Sequence, residues 1–469
     1  MSQTSGNGEG LFSQLRELLA RDDDDALRTF LADLHSADVA DCLEQVEPEE
    51  RSRIFFLLPP RTTAEAIVLL EEAVRSDVLD DLTDREVSDV LKELPADDAV
   101  DVLDELDDEK ADKVVEHLPP ERKAVVEPLR QYDEDTAGGI MNTDFISVPV
   151  TATVGDAIER IRRLTEEQRL DIYYIYCVDQ DGKLTGVVPP LRLIASPPAL
   201  PVEKLLLDDL FTSLATDDQE DVKNKFEKYD VVALPVVDEH GQMVGVVTHD
   251  DVLEVAEEEA EEDILHMAGT DAEEFATASI FRAAVVRARW LLPCLLGTFV
   301  GALIALYFQG KIGKEAYQLL IPFLIPIAAM GGNAGVQIST VIVRALATGD
   351  TVASRFRFAA LREMRIALIL GIGSGLFAGF GSFAVVNSGL MPGHDLPMDG
   401  ELPLIRVAFS VGSAMTFAIL LSGSLGLTMP FLFRRLGIDP AIATGPLITT
   451  VNDAVSAAIY LFIAMELVD

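Results

Sequence analysis

The stretch PAIATGPLITTVNDAVSAAIYLFIAM (440–465) contains a single carboxylate, Asp453, in the middle of an otherwise apolar run. An apolar segment of this length can cross the hydrocarbon core of a bilayer, which is about 30 Å thick. A charged side chain at that depth is costly and usually marks a pathway for ions or protons. The stretch therefore predicts a membrane helix that carries an ion-handling group.

Four more long apolar segments precede this one, so five membrane spans are predicted. Their approximate bounds are 288–308, 317–346, 366–391, 402–433 and 440–465. Arginines lie before the first span, between the second and third, and after the fourth, whereas the loop before the fourth span is acidic. This asymmetry predicts a multi-pass protein of the cytoplasmic membrane with a cytoplasmic N-terminus and an extracytoplasmic C-terminus. We expect no signal peptide, because MSQTSGNGEG at the start lacks a basic and an apolar region.

The formal net charge of the 469-residue chain is −42 at pH 7, and all of this excess lies in residues 1–264. Such acidity repels nucleic acid, which we exclude as a partner, and concentrates cations near the surface. Adaptation to high salt is an alternative explanation for much of it. The three cysteines lack metal-ligand spacing, and the sequence contains no Walker-type phosphate loop. We therefore expect a protein that is not an enzyme.

Residues 11–130 have the pattern of short amphipathic helices separated by corners at Leu58–Pro59, Leu94–Pro95 and Leu118–Pro119. Each proline stops one helix and can begin the next. The pattern predicts an all-helical, superhelical stack without strands.

A repeat follows this helical region. IYYIYCVDQDGKLTGVV (172–188) and VVALPVVDEHGQMVGVV (231–247) align without gaps, and each predicts a β-hairpin around an Asp-x-x-Gly turn. The pair resembles tandem cystathionine-β-synthase (CBS) domains, each with a β-α-β-β-α core. In the second repeat, Thr248 and Asp251 resemble the CBS element that binds adenosine, and the resemblance implies an adenine nucleotide such as ATP. A helix N-terminal position or a cation ligand is the alternative for Asp251.

A strongly acidic helix is predicted directly after the second repeat. Carboxylates four residues apart, as at Asp250, Glu254 and Glu258, repel one another on a helix. A divalent cation such as Mg²⁺ would remove that repulsion. The pattern therefore favours a cation sensor that is connected directly to the first span. The alternative is a solvated linker helix.

Two spans contain candidate pore residues. Pro322, Pro326 and the cluster Met330–Gln337 would weaken the second span as a plain helix, and such breaks survive beside protein or a water-filled pore. Close helix packing explains the glycines equally well, but Asn333 and Gln337 are candidate pore-lining residues. In the fifth span, Thr449 and Asp453 share a helix face, and Pro446 frees a backbone carbonyl one turn earlier.

Oxygen ligands alone suit a hard cation such as Mg²⁺ better than zinc or copper, although a proton relay is the competing use of a lone buried Asp. One carboxylate offsets only half the charge of a divalent ion. A two-fold homodimer with the pore on its axis would present two carboxylates. The sequence therefore predicts a homodimer, in which the membrane potential alone can drive uptake.

These features occur in one order that resembles the MgtE family of magnesium transporters. The quoted segments are Asp135–Met141, Met330–Gln337 and Pro446–Asp453, together with the helical region, the CBS pair and the acidic helix. The resemblance implies an acidic helical N-domain at 1–134, CBS repeats at 135–200 and 201–256, a connecting or plug helix at 257–285 and a five-span all-α domain at 286–469. It also implies a homodimeric Mg²⁺-selective channel that closes when Mg²⁺ binds its cytosolic domains.

The same resemblance implies the site residues. Asp453 would be the pore carboxylate, helped by the carbonyl of Thr449, with Gly445 as an uncertain third position. The cytosolic Mg²⁺ sensor would consist of eight acids. These are Asp97, Asp98, Asp250, Asp251, Glu254, Glu257, Glu258 and Glu261.

Two other classes of function remain open from the sequence. A proton- or sodium-coupled transporter of Mn²⁺ or Co²⁺ would use the same buried carboxylate. A membrane protein that senses nucleotides through its CBS domains without transport would use only the soluble half.

Overall fold

The computed structural model describes residues 5–21, 23–163, 172–270, 280–312, 314–347, 353–388, 402–443 and 445–468. They form two compact units, Met1–Glu257 and Glu258–Asp469. The finer division into five domains remains a prediction from the sequence.

The first unit begins with ten short helices. They are α1 Ser5–Arg21, α2 Asp24–Ala32, α3 Ser36–Glu44, α4 Pro48–Leu57, α5 Pro60–Val68, α6 Glu72–Asp81, α7 Asp84–Leu91, α8 Ala96–Asp104, α9 Asp108–His117 and α10 Pro120–Leu129. No strand occurs in the described residues up to 130, as the sequence predicted. The proline corners are confirmed, because Pro59, Pro95 and Pro119 are the N-cap residues of α5, α8 and α10.

The two repeats fold as predicted into two β-α-β-β-α units. The first comprises β1 Ser147–Pro149, α11 Val154–Arg162, β2 Ile175–Val178, β3 Leu184–Val188 and α12 Pro190–Ile194. The second comprises β4 Ser213–Leu214, α13 Gln219–Tyr229, β5 Ala233–Val237, β6 Met243–Thr248 and α14 His249–Ala268. In each sheet the first two strands are parallel and the last two form an antiparallel hairpin. Gly182 and Gly241 have positive φ at the hairpin turns, which explains the repeated glycine.

One hydrophobic core runs through the helical stack into the second repeat. Leu103 and Val114 from the helices belong to the same buried cluster as Leu234 and Val247 from the second sheet. The first repeat has its own core around Val148, Ile175 and Val188. The start of α14 is therefore held by the same core that holds α8.

Six helices follow α14 in the second unit. They are α15 Ile280–Gln309, α16 Lys314–Leu320, α17 Leu324–Ala347, α18 Ala353–Asn387, α19 Leu402–Arg435 and α20 Pro446–Val468. Five spans are long and apolar enough to cross a bilayer, with bounds Ile280–Gln309, Ala316–Leu346, Arg357–Asn387, Leu404–Arg435 and Pro440–Leu467. The predicted number of spans is thereby confirmed within the described residues.

The second span is interrupted at Pro322, one of the positions that the sequence suggested, but not at the glycine-rich cluster. Residues Ile321–Phe323 form a 3₁₀ turn at Pro322, whereas α17 continues without a break through Met330–Gln337. The expectation of a weakened helix at that cluster was wrong. The glycines instead allow close packing of α19, since Ser422 donates a hydrogen bond to the carbonyl of Gly331 at 2.5 Å and a Cβ on Gly335 would collide with its hydroxyl.

Candidate cation sites

The carboxylate of Asp453 lies in the second turn of α20, one turn after Thr449. Its Oδ1 atom is buried and has no hydrogen-bond partner among the described residues. A buried carboxylate oxygen without a donor is energetically costly unless a cation or water satisfies it. This oxygen is therefore the candidate cation ligand of the second unit.

Gly332 of α17 lies opposite this part of α20. A Cβ atom built on Gly332 would lie 3.1 Å from Cγ2 of Thr449 and 3.7 Å from Oδ1 of Asp453. The absence of a side chain at Gly332 thus lets α17 lie close to Thr449 and Asp453 of α20. Asn333 and Gln337, the candidates on the same helix, are exposed in the single chain and so do not pack inside this unit.

Neighbouring polar groups are buried between α17, α19 and α20. Asn452 is fully buried, and a Cβ on Gly331 would come within 2.6 Å of its Nδ2 atom. Ser456 donates to Oδ1 of Asn452 at 3.4 Å, whereas Nδ2 has no partner among the described atoms. The helix contact beside Asp453 is therefore polar and tightly packed.

Gly445 precedes α20 and has a positive φ of 62°. Its carbonyl accepts hydrogen bonds from the backbone N–H of Thr449 at 3.2 Å and from the hydroxyl of Thr449 at 3.0 Å. A Cβ at this position would collide with the backbone carbonyl of Met267. Gly445 offers no side-chain ligand, and its carbonyl already serves the first turn of the helix.

In the first unit, the acids at the start of α8 meet the acids at the start of α14. Asp97 is 7 % exposed and accepts a hydrogen bond from Nδ2 of Asn142 at 3.1 Å. Burial raises the pKa of Asp97 well above its ordinary value, and the charges of Asp98 and Asp251 raise it further. The structure thus brings Asp97 close to Asp251.

Asp98 lies in the same group of charges. Burial, followed by the charges of Glu254, Asp251 and Asp250, raises the pKa of Asp98 to about 6, and Arg75 opposes the shift. Burial likewise raises the pKa of Asp251 to about 6, although hydrogen bonds from Thr248 oppose it. We call Asp97, Asp98, Asp250, Asp251 and Glu254 the acidic cluster. Its mutual repulsion is what a divalent cation would relieve.

Three predicted sensor acids lie outside the acidic cluster. Glu257, Glu258 and Glu261 are exposed along the following turns of α14. Within the described ranges, no group of three or more His, Cys, Asp or Glu side chains is arranged to hold a metal ion directly. A hydrated ion, which contacts carboxylates through its waters, places weaker demands on ligand geometry.

Thr248 and Asp251 have a local role at the start of α14. Oδ2 of Asp251 accepts hydrogen bonds from the backbone N–H of Thr248 at 2.7 Å and from its hydroxyl at 2.9 Å. Both bonds are donated by Thr248 to the carboxylate three residues later, as in one half of a capping box. This arrangement favours the helix N-terminal interpretation of Asp251 over a contact with ribose.

A cavity of about 330 Å³ lies elsewhere in the CBS pair. Its walls include Tyr174, Arg192, Phe211 and Tyr229, and the rings of Phe211 and Tyr229 stack with centroids 3.9 Å apart. Thr248 and Asp251 do not line it. Sequence reasoning missed these residues, since they come from segments outside the turns that the two repeats share and have no common spacing.

Sequence reasoning also placed Glu363 outside the third span. In the structure this residue lies within α18 and is 8 % exposed. The arginines before Glu363 lower the hydropathy of this segment. The predicted span therefore begins after Glu363, and hydropathy does not indicate that this second carboxylate is buried.

The architecture and the buried acid define a membrane protein with a candidate cation pathway and a pair of CBS-like domains. Family models agree with this description. The model of MgtE, described as a divalent cation transporter, matches residues 324–463, and that of the MgtE intracellular N domain matches 34–135. The CBS domain model matches 137–196 and 202–258.

Curated relatives match nearly the whole chain. The magnesium transporter MgtE of Thermus thermophilus is 33% identical over 98% of this chain and 99% of its own length. That of Enterococcus faecalis is 36% identical over 97% of each chain. A crystal structure of the cytosolic domain of the Mg²⁺ channel MgtE in complex with ATP covers 52% of this chain and 99% of its own, with 33% identity and a TM-score of 0.49. This chain belongs to the MgtE family.

Proposed function

We propose that this protein is a Mg²⁺-selective channel that mediates Mg²⁺ uptake across the cytoplasmic membrane. The observation that carries the proposal is the buried Oδ1 of Asp453, which has no hydrogen-bond partner among the described residues and lies against Gly332 of the second span. Membership of a family of divalent cation transporters and the names of its curated relatives support the choice of ion.

A homodimer completes the site. One carboxylate neutralises half of a divalent charge, whereas two related by a two-fold axis neutralise all of it. A divalent ion gains about 4.6 kcal/mol on moving inward through 100 mV, so no second energy source is needed. Closure by cytosolic Mg²⁺ requires the soluble half to face the cytoplasm, and five spans then place the C-terminus outside.

The acidic cluster is the proposed sensor that closes the channel. When cytosolic Mg²⁺ is abundant, a bound hydrated ion neutralises Asp97, Asp98 and Asp251 and holds α8 against α14. When Mg²⁺ is scarce, the charges repel and the two helices separate. Closure is then a population shift set by the difference in Mg²⁺ affinity between the two states.

Flux into liposomes tests the transport proposal. The full-length protein should admit Mg²⁺ when a negative internal potential is imposed and little Mg²⁺ is present on the side of the soluble half. Asp453→Asn should abolish this flux while leaving expression and oligomeric state unchanged. Glu466→Gln is the matched control, because it neutralises an exposed carboxylate on the same helix. Flux that survives in Asp453→Asn, or that collapses with a proton gradient at constant potential, would contradict the proposal.

Binding of an adenine nucleotide such as ATP is a second function supported by a specific observation. The cavity in the CBS pair combines aromatic walls, which can stack on a base, with the cation of Arg192. Asp208 and Asp209 also line it, so a nucleotide would bind more tightly when Mg²⁺ screens its phosphates. Calorimetry with ATP tests this proposal. Arg192→Ala should weaken ATP binding, and Thr248→Ala should not. If Thr248→Ala weakens binding and Arg192→Ala does not, the nucleotide binds at Thr248 and Asp251 instead of in this cavity.

A further inference from the structure

The last turn of α14 ends against the connection between α19 and α20. The helix stops at Ala268, and Gly269 adopts a positive φ of 82°. The backbone N–H of Gly269 bonds to the carbonyl of His266 at 3.1 Å, and that of Thr270 bonds to the carbonyl of Leu265 at 3.0 Å. These bonds and the positive φ of Gly269 form a hydrogen-bonded helix C-cap within the second unit.

His266 lies on the inner side of that last turn and is 7 % exposed. Its Nδ1 atom is 2.7 Å from Oδ2 of Asp439 and 3.7 Å from Oε1 of Glu262, one turn earlier on the same helix. The other oxygen of Asp439 accepts a hydrogen bond from the backbone N–H of Ala441 at 2.9 Å. Asp439 thus fixes both the helix end and the short turn that leads toward α20.

A second contact lies beside this pair and involves backbone rather than charge. A Cβ on Gly269 would lie 2.8 Å from Cγ of Pro446, and a Cβ on Gly445 would collide with the carbonyl of Met267. The end of α14 and the start of α20 are therefore nested against each other without intervening side chains. From Gly445 the chain enters the two turns that carry Thr449 and Asp453.

We propose that His266 and Asp439 form a latch that fastens the end of α14 to the entrance of α20 and favours the closed channel. This inference rests on the proposed function. A hydrogen bond between a buried imidazole and a carboxylate is strong, and removal of either partner removes this link between the helix end and the turn before α20. The latch lies outside the acidic cluster, so it sets how firmly closure is held rather than whether Mg²⁺ binds there.

The chain contains a direct reporter of the latch. Trp290 of α15 is its only tryptophan, and its ring centroid lies 5.8 Å from that of His266. An imidazole at this distance quenches indole fluorescence. In the full-length protein, removal of Mg²⁺ should therefore raise the emission of Trp290 as the latch opens. In His266→Phe the emission should be high and independent of Mg²⁺.

Flux measurements supply the functional test. His266→Phe and Asp439→Asn should each raise the Mg²⁺ concentration needed for half-closure about tenfold, as expected for loss of a charge-assisted hydrogen bond. The double variant should resemble either single variant, because the two residues act as one unit. His240→Phe, the same change in an exposed hairpin turn, should stay within about twofold of the original protein.

The outcomes separate the latch from the channel. If the original protein gives no Mg²⁺ flux in liposomes, the proposed function itself is wrong. Normal flux and normal closure in both single variants, or Trp290 emission that ignores Mg²⁺ while flux still closes, would overturn the latch alone. Should His266→Phe fold poorly, Asp439→Asn retains the native tryptophan and imidazole and gives the same fluorescence test.

Discussion

Gly332 and Asp453 face each other across the contact between the second and fifth spans, with 3.7 Å between the carboxylate Oδ1 and a Cβ built on the glycine. A side chain at residue 332 would therefore lie against Thr449 and Asp453, where we propose that the cation meets the carboxylate. Residue 332 matters because it carries no side chain at this contact, whereas Asp453 matters for its charge.

Gly332→Leu should reduce Mg²⁺ flux at least about tenfold, since the new side chain fills the approach to Asp453 and displaces the waters of the ion. Gly332→Ala should have a smaller effect, because its Cβ would sit only 3.1 Å from Thr449 and require a small adjustment. Liposome flux measures both. Gly373→Leu on α18 is the control, as nothing lies within 4 Å of a Cβ there. Equal losses at the two positions would point to general helix disruption instead of occlusion.

The acidic cluster makes a prediction about pH. The pKa values of Asp98 and Asp251 are raised to about 6 in the folded protein, against an ordinary value of 3.8. The folded state therefore binds more protons than the unfolded state between these values. The associated stabilisation is complete below pH 3.8 and is lost as the pH rises through about 6.

Above that range Asp98 and Asp251 are ionised, and Mg²⁺ should take over the role of the protons. The increase in thermal unfolding temperature that Mg²⁺ causes should be larger at pH 7.5 than at pH 5. Proteolysis of residues 1–257 in the full-length protein at a series of temperatures, with and without Mg²⁺, measures it. Equal increases at both pH values would mean that Mg²⁺ stabilises the protein at some other place.

Asp98→Asn should weaken that dependence by removing one of the repelling charges. We expect the variant to be more stable than the original by about 2 kcal/mol in Mg²⁺-free buffer at pH 7.5, the order given by a raised pKa. It should also gain less from added Mg²⁺. Glu257→Gln, an exposed acid on α14 outside the acidic cluster, is the comparison. If both variants respond alike, the effect comes from net charge and not from the cluster.

The sequence predicted those parts of the fold that depend on neighbouring residues. The hairpin turns at Gly182 and Gly241 and the helix starts after Pro59, Pro95 and Pro119 follow from local backbone rules. The helix through Met330–Gln337 was misjudged because its support comes from Ser422, a residue of another helix. Local composition favoured a break there, and tertiary packing prevented it.

The candidate sites also differ in whether the sequence alone could predict them. Asp453 is visible in the sequence because a lone acid in an apolar run needs no partner to be noticed. The proximity of Asp97 and Asp251 was suggested only by family resemblance, since the two residues are distant in the chain. His266 and Asp439 carried no signal, because neither residue type nor spacing connects the end of α14 with the turn before α20. Contacts of this kind depend on how the helices pack.

The nested glycines at the entrance of α20 provide the last prediction. Gly445 and Gly437 both have positive φ, 62° and 71°. An alanine at either position should therefore destabilise the folded protein by about 1–2 kcal/mol, because its backbone must adopt the left-handed conformation. A Cβ at Gly437 meets nothing within 4 Å, whereas one at Gly445 collides with the carbonyl of Met267. Gly445→Ala should therefore push the end of α14 away and raise the Mg²⁺ concentration needed for closure, and Gly437→Ala should leave closure unchanged.

Gly445→Asn should behave like Gly445→Ala, because asparagine adopts this backbone conformation readily but its Cβ meets the same collision. Closure curves that coincide for Gly445→Ala and Gly437→Ala would show that backbone strain alone matters there and that the contact with Met267 has no part in holding the channel closed.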